Sequence, residues 1–326
     1  MRRRGGCLGL LALIVLAGAA FWFVHSWGGR GPAPRNLTVT ITQGTSMASA
    51  ADQLEKAGAI SSASRFRLLA RIFGSGDGIK AGEYRIPAHL SQSDILKLLQ
   101  GGKTLQRFVT IPEGLPSVLV QEKLMAATEL TGSVEVPVEG TVLPDSYSFE
   151  RGASRQSVLD RMQRAMTKYL AAAWDKRAPG IVVKTPREAL ILASIVEKET
   201  GKPSERTLVA AVYSNRLKQG MKLQADPTII YPITKGKPLG RSIFKSEIAA
   251  QNGYNTYAMV GLPAGPIANP GRASIDAVLH PAQSNYLYFV ADGTGGHVFS
   301  TTLEQQNANV QKWRQLRCQR GEKGFC

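Results

Sequence analysis

The sequence predicts an α+β protein carried on an N-terminal membrane-crossing helix, and three observations support that expectation. An uncharged apolar run, Cys7 to Val24, directly follows Arg2-Arg3-Arg4 near the start of the chain. Alternating segments such as Val39-Thr40-Ile41-Thr42 stand between stretches whose apolar residues recur at helical spacing. Further on, Leu192-Ala193-Ser194-Ile195-Val196-Glu197-Lys198-Glu199-Thr200 reads as a buried helix with two carboxylates at its end.

A bilayer takes about 20 apolar residues to cross, so the Cys7–Val24 run spans it with modest adaptation. The arginine cluster puts the short N-terminal side in the cytoplasm, and Trp22 and Trp27 suit the outer interface. A cleavable secretory signal is the rival reading, because Ala17-Gly18-Ala19-Ala20 supplies small residues. The apolar and aromatic residues continuing through Phe21-Trp22-Phe23-Val24 favour an uncleaved anchor. A lipid-modified cysteine should follow the apolar run, and Cys7 precedes it. Either way the body of the chain is exported. There an oxidising compartment permits a disulfide between Cys318 and Cys326.

The net charge of +16 favours anionic partners. Nucleic acid is the usual suggestion for such a chain, and export argues against it; anionic lipid headgroups are at hand instead. The 4 histidines, His25, His89, His280 and His297, are scattered, and no metal-ligand spacing occurs, so neither a metal nor a cofactor is expected.

The chain divides, on this reading, into a cytoplasmic stub (1–6), a transmembrane helix (7–27), a Gly/Pro/Arg linker (28–36) that stands the body off the membrane, and a small α+β subdomain (37–103). A β-rich connector (104–150), a mixed α/β domain (151–315) and a C-terminal tail (316–326) follow. Within the subdomain the expected order is a strand at Val39–Thr42, helices at Ser46–Leu54 and Ser64–Phe73, a strand at Lys80–Ile86 and a helix at Ser91–Leu99. The connector is read from Phe108-Val109-Thr110-Ile111 and from Val134 to Tyr147. A long amphipathic helix should run from Ser157 to Trp174. Thr185-Pro186-Arg187-Glu188 reads as a capping box with proline at the first helical position. A second helix should start with Ser204 as cap and end at Gly220. Asp226, ahead of Pro227, should lie in an extended or turn segment. Tyr286–Ala291 and His297–Ser300 flank a glycine-rich turn and read as a hairpin.

Counted from Glu188 at helical spacing, Leu192, Ile195 and Glu199 share a face, whereas Glu197 lies nearer Ala193 and Ser194. A carboxyl group held against apolar side chains has its charged form disfavoured, so its pKa rises. That is the tuning a general acid needs near neutral pH. Against it stands the plainer reading in which both glutamates are solvated at the helix end. Lys198 points away at this spacing.

Several longer motifs follow in order: Glu205 to Leu217, Met221 to Tyr231, Tyr254-Asn255-Thr256-Tyr257, Gly261 to Gly271, and Tyr286 to Gly293 with Gly295-Gly296-His297. Together with the Glu199 segment they resemble the endolytic lytic transglycosylases of bacterial cell walls, the MltG or YceG-like family, over nearly the whole chain. The resemblance implies peptidoglycan glycan strands as substrate, the cytoplasmic (inner) membrane as location, and cell-wall synthases such as penicillin-binding proteins as partners. It likens residues 37–103 to LysM glycan-binding modules. It implies one glutamic acid that protonates the oxygen between MurNAc and GlcNAc and then accepts the proton of the MurNAc C6 hydroxyl, leaving a 1,6-anhydro end. Glu199 takes that role, with Thr200 supplying the hydroxyl beside the acid, and Glu197 is the fallback.

Gln224, Asp226, Asn255, Thr256 and Tyr257 are the candidates for holding glycan. Behind them come Tyr231, His297, and Glu139 with Asp145 of the Glu139-Gly140…Pro144-Asp145…Tyr147 signature. Each has an ordinary turn-making alternative. Tyr213, Tyr286, Tyr288 and Phe289 read as core or strand packing. A hydrolytic muramidase would need a second carboxylate about 5–9.5 Å from the first, which Asp226 or Glu139 could supply. The remaining alternative is a membrane-tethered, non-catalytic glycan scaffold.

Overall fold

The computed structural model describes residues 4–321, so Arg2, Arg3 and Cys326 lie outside the described residues. The chain forms two compact units, Met1–Arg107 with Ser148–Arg151, and Phe108–Tyr147 with Gly152–Cys326.

The first unit opens with α1 (Arg4–Gly28), which contains an apolar stretch, Leu10–Gly28, long enough to cross a bilayer. Next come β1 (Leu37–Ile41), α2 (Met47–Lys56), α3 (Ala63–Phe73), β2 (Gly82–Ile86) and α4 (Gln92–Gly101). The three helices after β1 start where serine can accept from the first turn. Ser46, Ser62 and Ser91 receive the amides of Ser49, Arg65 and Asp94. β1 and β2 pair antiparallel from Leu37↔Ile86 to Ile41↔Gly82. The sheet's inner face, Val39, Ile41, Tyr84 and Ile86, closes on Leu54, Phe66, Ile95 and Leu99. The Tyr84 hydroxyl, deep in this core, donates to the Lys80 carbonyl at 2.7 Å.

The expected 28–36 linker is corrected by the structure, because this segment is fastened to the first unit. Gly31 N–H donates to the His89 carbonyl at 3.1 Å, His89 N–H to the Ala33 carbonyl at 2.8 Å, and Ala88 N–H to Asn36 Oδ1 at 3.0 Å. The end of α1 is held as well, with Gln92 Nε2 donating to the Ser26 carbonyl at 3.0 Å. Glycine and proline exclude helix and strand here; they do not exclude backbone partners.

The expected β-rich connector is also corrected. It holds two four-residue strands, β3 (Arg107–Thr110) and β4 (Ser146–Phe149), and between them a ten-residue helix, α5 (Ser117–Ala126). Val118-Leu119-Val120 looks like strand by composition, yet Val120 and Leu124 are buried one helical turn apart.

The rest is largely helical: α6 (Arg155–Asp175), α7 (Pro186–Glu199), α8 (Arg206–Lys218), α9 (Pro227–Thr234), α10 (Lys245–Ala249) and α11 (Arg272–Leu279). The hairpin β5 (Tyr288–Ala291) and β6 (His297–Ser300) pairs from Tyr288↔Ser300 to Ala291↔His297. The last element, α12 (Leu303–Gln319), carries helix across the expected tail boundary at 316. α7 is the axis of this unit, buried without interruption from Ala189 to Val196 and contacted by α6, α8, α9 and α11. Its start follows the expected chemistry with one change. Thr185 Oγ1 accepts from Glu188 N–H at 3.1 Å, and Glu188 reaches back to Lys184 N–H at 2.6 Å instead of to the cap residue itself. α8 enters through a 3-10 turn at Pro203–Glu205, so Ser204 is not its cap.

Candidate active site

Glu199 is the last residue of α7. Thr200 leaves the helix in an extended conformation, and Gly201 and Pro203 prevent its continuation. The Thr200 side chain is buried, and its Oγ1 accepts the Lys202 N–H at 3.0 Å, so it shapes this exit.

The Glu199 carboxyl sits among groups from three other segments. Its Oε1 is enclosed and has no hydrogen-bond partner, while the Tyr213 hydroxyl of α8 donates to the carboxyl. Burial pushes Glu199 up from 4.5 to about 7, and the Asp226 charge adds to that rise. The Tyr213 hydrogen bond and the Arg216 guanidinium pull the other way without reversing it. Tyr213 is itself raised well above the ordinary phenol value by its burial and by Glu199, which keeps it a neutral donor.

Arg216, one turn after Tyr213 on α8, fixes the far side of the cluster. Its Nε donates to the Leu287 carbonyl at 2.6 Å, and its Nη1 to the carbonyls of Leu223 and Lys222 at 2.8 and 3.3 Å and to Gln224 Oε1 at 3.4 Å. The guanidinium also lies 5.2 Å from the centre of the Tyr288 ring. Gln224 adopts a left-handed backbone, φ +52°, and its N–H bonds the Thr256 carbonyl.

Asp226 lies in a turn directly ahead of α9, as expected, although its backbone, φ −51° and ψ −40°, is in the right-handed helical region instead of extended. The pre-proline bias is overridden by the turn it belongs to, in which Thr228 N–H bonds the Ala225 carbonyl at 3.0 Å and Ile229 N–H the Asp226 carbonyl at 2.9 Å. Its carboxylate makes no helix cap; Oδ1 accepts the Tyr257 hydroxyl at 2.6 Å.

Of the five glycan-holding candidates, then, Gln224, Asp226 and Tyr257 join Glu199, Tyr213 and Arg216 in one cluster. Asn255 and Thr256 are corrections, because both side chains are fully buried. Asn255 Nδ2 donates to the carbonyls of Ile248 and Ala250 at 2.9 and 2.7 Å, and its Oδ1 accepts Tyr257 N–H at 3.0 Å. Thr256 Oγ1 accepts Ala225 N–H at 3.0 Å and meets Thr228 Oγ1 at 2.9 Å. These two fasten the loop that sets Asp226 against Tyr257.

Glu139 is likewise held within the protein. Its Oε1 accepts Ser117 N–H at 2.9 Å, Ser117 Oγ at 3.0 Å and Asn269 Nδ2 at 3.2 Å, and Tyr231 adds a further hydrogen bond. Asn269 completes the clamp, its Oδ1 receiving Val142 N–H at 3.0 Å. Gly140 adopts φ +81°, and a Cβ there would lie 2.7 Å from Pro266 Cγ, so no other residue fits. Asp145 pairs with Arg272 at 2.9 Å, and the Tyr147 hydroxyl donates to the Leu143 carbonyl at 2.7 Å. The whole signature braces the connector against the 261–271 loop.

Glu197 turns to the opposite side of α7, where Oε2 accepts Gly271 N–H at 2.8 Å and Oε1 stands 3.6 Å from Arg206 Nη2. His297 pairs through Nδ1 with Glu205 at 2.7 Å and sets its ring edge-on to Phe289. Those contacts tie β6 to the turn ahead of α8. Lys198 and Pro227, sequence neighbours of the two acidic cluster members, line a cleft of about 490 Å³ with Leu115, Pro116, Ile230 and Ile267. Among the described residues no three His, Cys, Asp or Glu side chains are grouped to hold a metal ion.

Sequence reasoning missed Tyr213 and Arg216. The available signal was their spacing: two polar residues one turn apart on a helix otherwise buried from Val209 to Val212. Polar groups on a buried helix must find partners.

Residues 39–312 match the YceG-like family. The chain is 27% identical over 310 residues to the endolytic murein transglycosylase of Bacillus subtilis, covering 85% of this chain and 84% of that protein. It is 31% identical over 324 residues to the endolytic murein transglycosylase of Streptococcus pneumoniae D39, covering 84% of this chain and 58% of that longer protein. A crystal structure of a yceG-like protein from Listeria monocytogenes superposes with a TM-score of 0.53 at 28% identity, covering 84% of this chain and 98% of that one.

Proposed function

The chain belongs to the YceG-like family, and from that premise we propose that it is an endolytic lytic transglycosylase that cuts the MurNAc–GlcNAc bond within peptidoglycan strands. The observation that carries the site assignment is the Glu199 carboxyl, lifted to about 7 by burial and enclosing an Oε1 without a partner. Such a group keeps a substantial fraction of its acid form at neutral pH and can both give up and take back a proton there.

Glu199 gives its proton to the glycosidic oxygen as the bond to C1 breaks, so the departing strand now ends in GlcNAc. The Glu199 carboxylate then takes the proton of the C6 hydroxyl while that oxygen bonds to C1. The products are a 1,6-anhydro-MurNAc end and a new GlcNAc end; no water is consumed, and Glu199 regains its acid form. The attacking hydroxyl belongs to the reacting sugar, so proximity replaces an activated water. The Tyr213 hydroxyl holds the carboxyl in place, and the Asp226 charge faces the positive character that develops at C1. Gln224 and Tyr257 offer amide and hydroxyl groups to the sugar.

α1 supports a single-pass anchor in the cytoplasmic membrane, with the N-terminus inside and the chain beyond α1 outside. Residues 37–103 are proposed as a LysM-like glycan-binding subdomain, and cell-wall synthases as partners. Mass spectrometry of glycan ends after digestion of sacculi tests the activity. Anhydro ends support it, ends that have gained water indicate a muramidase, and no new ends indicate a scaffold.

A further inference from the structure

The first unit leaves one apolar face uncovered. Outside α1, the exposed large apolar side chains of this unit, among the described residues, are Leu68, Ile72 and Phe73, at 56, 55 and 54% exposure. All three stand on α3, whose buried face is Ala63, Phe66 and Leu69. Arg65, Arg67 and Arg71 alternate with them along the helix, Arg67 also reaching Asp52 at 3.3 Å. A cluster of exposed apolar side chains rimmed by charge marks a contact surface.

What covers it follows from where α3 is fastened. The Phe73 ring meets Phe23 of α1 at 4.9 Å, the Arg65 guanidinium lies 4.9 Å from the Trp22 ring, and Phe66 meets Trp27 at 6.0 Å. A hydrocarbon core about 30 Å thick takes about 20 helical residues. Counted on from Cys7, where the uncharged run begins, that length ends at Ser26, between Trp22 and Trp27, the stretch of α1 against which α3 lies. The hydrogen bonds that pin residues 31–36 to the 88–89 turn leave no slack by which the unit could lift away.

We propose that α3 is an interfacial helix whose occupant is the outer leaflet of an anionic phospholipid bilayer. Leu68, Ile72 and Phe73 enter the acyl boundary while Arg65, Arg67 and Arg71 meet lipid phosphates. The inference rests on the reading of α1 as a membrane anchor and goes beyond it. An anchor alone leaves the unit free to tilt, and a second point of insertion fixes its attitude.

The test uses the full-length chain in vesicles of phosphatidylethanolamine and phosphatidylglycerol, with Cys7, Cys318 and Cys326 replaced by serine. A nitroxide is attached to Ile72→Cys, and in separate samples to Leu68→Cys, to Leu13→Cys on α1 and to Lys168→Cys, exposed on the second unit. Collisions with oxygen, which enters lipid, are compared with collisions with a water-soluble nickel chelate. The oxygen-to-nickel ratio at 72 and 68 should fall between that at 13, deep in the span, and that at 168, and exceed the latter severalfold. A ratio at 72 and 68 equal to that at 168, with 13 still in lipid, overturns the proposal and leaves the anchor intact. Shielding from both reagents means that protein covers the face, which also overturns it. Nickel access at 13 removes the anchor reading and this inference with it.

Discussion

Replacing Glu199 by glutamine is expected to abolish cleavage and, at alkaline pH, to make the protein harder to unfold. The folded-state pKa of about 7 lies above the ordinary 4.5, so the native state holds this proton more tightly than the unfolded chain. The stabilisation is complete below pH 4.5 and fades as the pH rises through 7. The shift corresponds to about 3 kcal/mol. Above pH 8 the parent keeps a buried carboxylate whose charge burial disfavours, while the Glu199→Gln variant keeps a neutral amide able to accept from Tyr213. Its melting temperature should therefore exceed the parent's by roughly 5–10 °C at pH 8, and the gap should close by pH 4. Turnover should fall by about 10⁴-fold, the upper end for general acid–base catalysis, because one group serves both proton transfers. Parent activity should itself decline about tenfold per unit above pH 7, as the acid form is titrated away. Calorimetry of the solubilised full-length protein at both pH values, with anhydro-end analysis of the same preparations, measures all three. A stability gap independent of pH would refute the burial argument, and turnover within tenfold of the parent would refute the catalytic one.

Tyr213→Phe removes a hydrogen bond that lowers the Glu199 pKa. The alkaline limb of the pH–rate profile should move upward and the maximal rate should fall severalfold; an unmoved limb counts against the contact. Glu197→Gln keeps an acceptor for Gly271 N–H but takes the charge from beside the buried Arg206. It should lose about 1–3 kcal/mol of stability while still producing anhydro ends, and loss of cleavage at unchanged stability would move the catalytic role to Glu197. Asn269→Ala strips the clamp of its Val142, Ser117 and Glu139 partners. Unfolding in urea should show a loss of about 2–4 kcal/mol, whereas an unchanged midpoint would mean that the clamp is not structural. Gly140→Ala should fail in the same assay for another reason, the contact of its Cβ with Pro266 at φ +81°.

What could be read from the sequence was what local rules govern. The helices and strands of the first unit follow their serine caps and their alternation to within a few residues. The place of Glu199 on its helix followed from spacing alone. The failures share a different cause. Asn255 and Thr256 carry the groups that bind sugars, but the same amide and hydroxyl close loops, and burial decides between the two uses. Burial is set by Glu247–Ala250 and by Ala225–Thr228, which no local pattern connects to them. Tyr213 and Arg216 were passed over because a long amphipathic side chain on an apolar helix looks the same whether it fills the core or faces an acid. The segment taken for a linker had the composition of one; its partners at 88–89 lie more than fifty residues further along the chain.

The arginine behind Glu199 has a bearing on when the proposed activity first arises. Arg216 is held by the Leu287 carbonyl, 71 residues later in the chain. A ribosome releases Glu199 and Tyr213 well before Leu287, so a partly made chain carries the carboxyl without this part of its setting. The full hold on Arg216 therefore dates from the arrival of Leu287. A polypeptide truncated ahead of Leu287 should be inert toward the wall of the cell that made it.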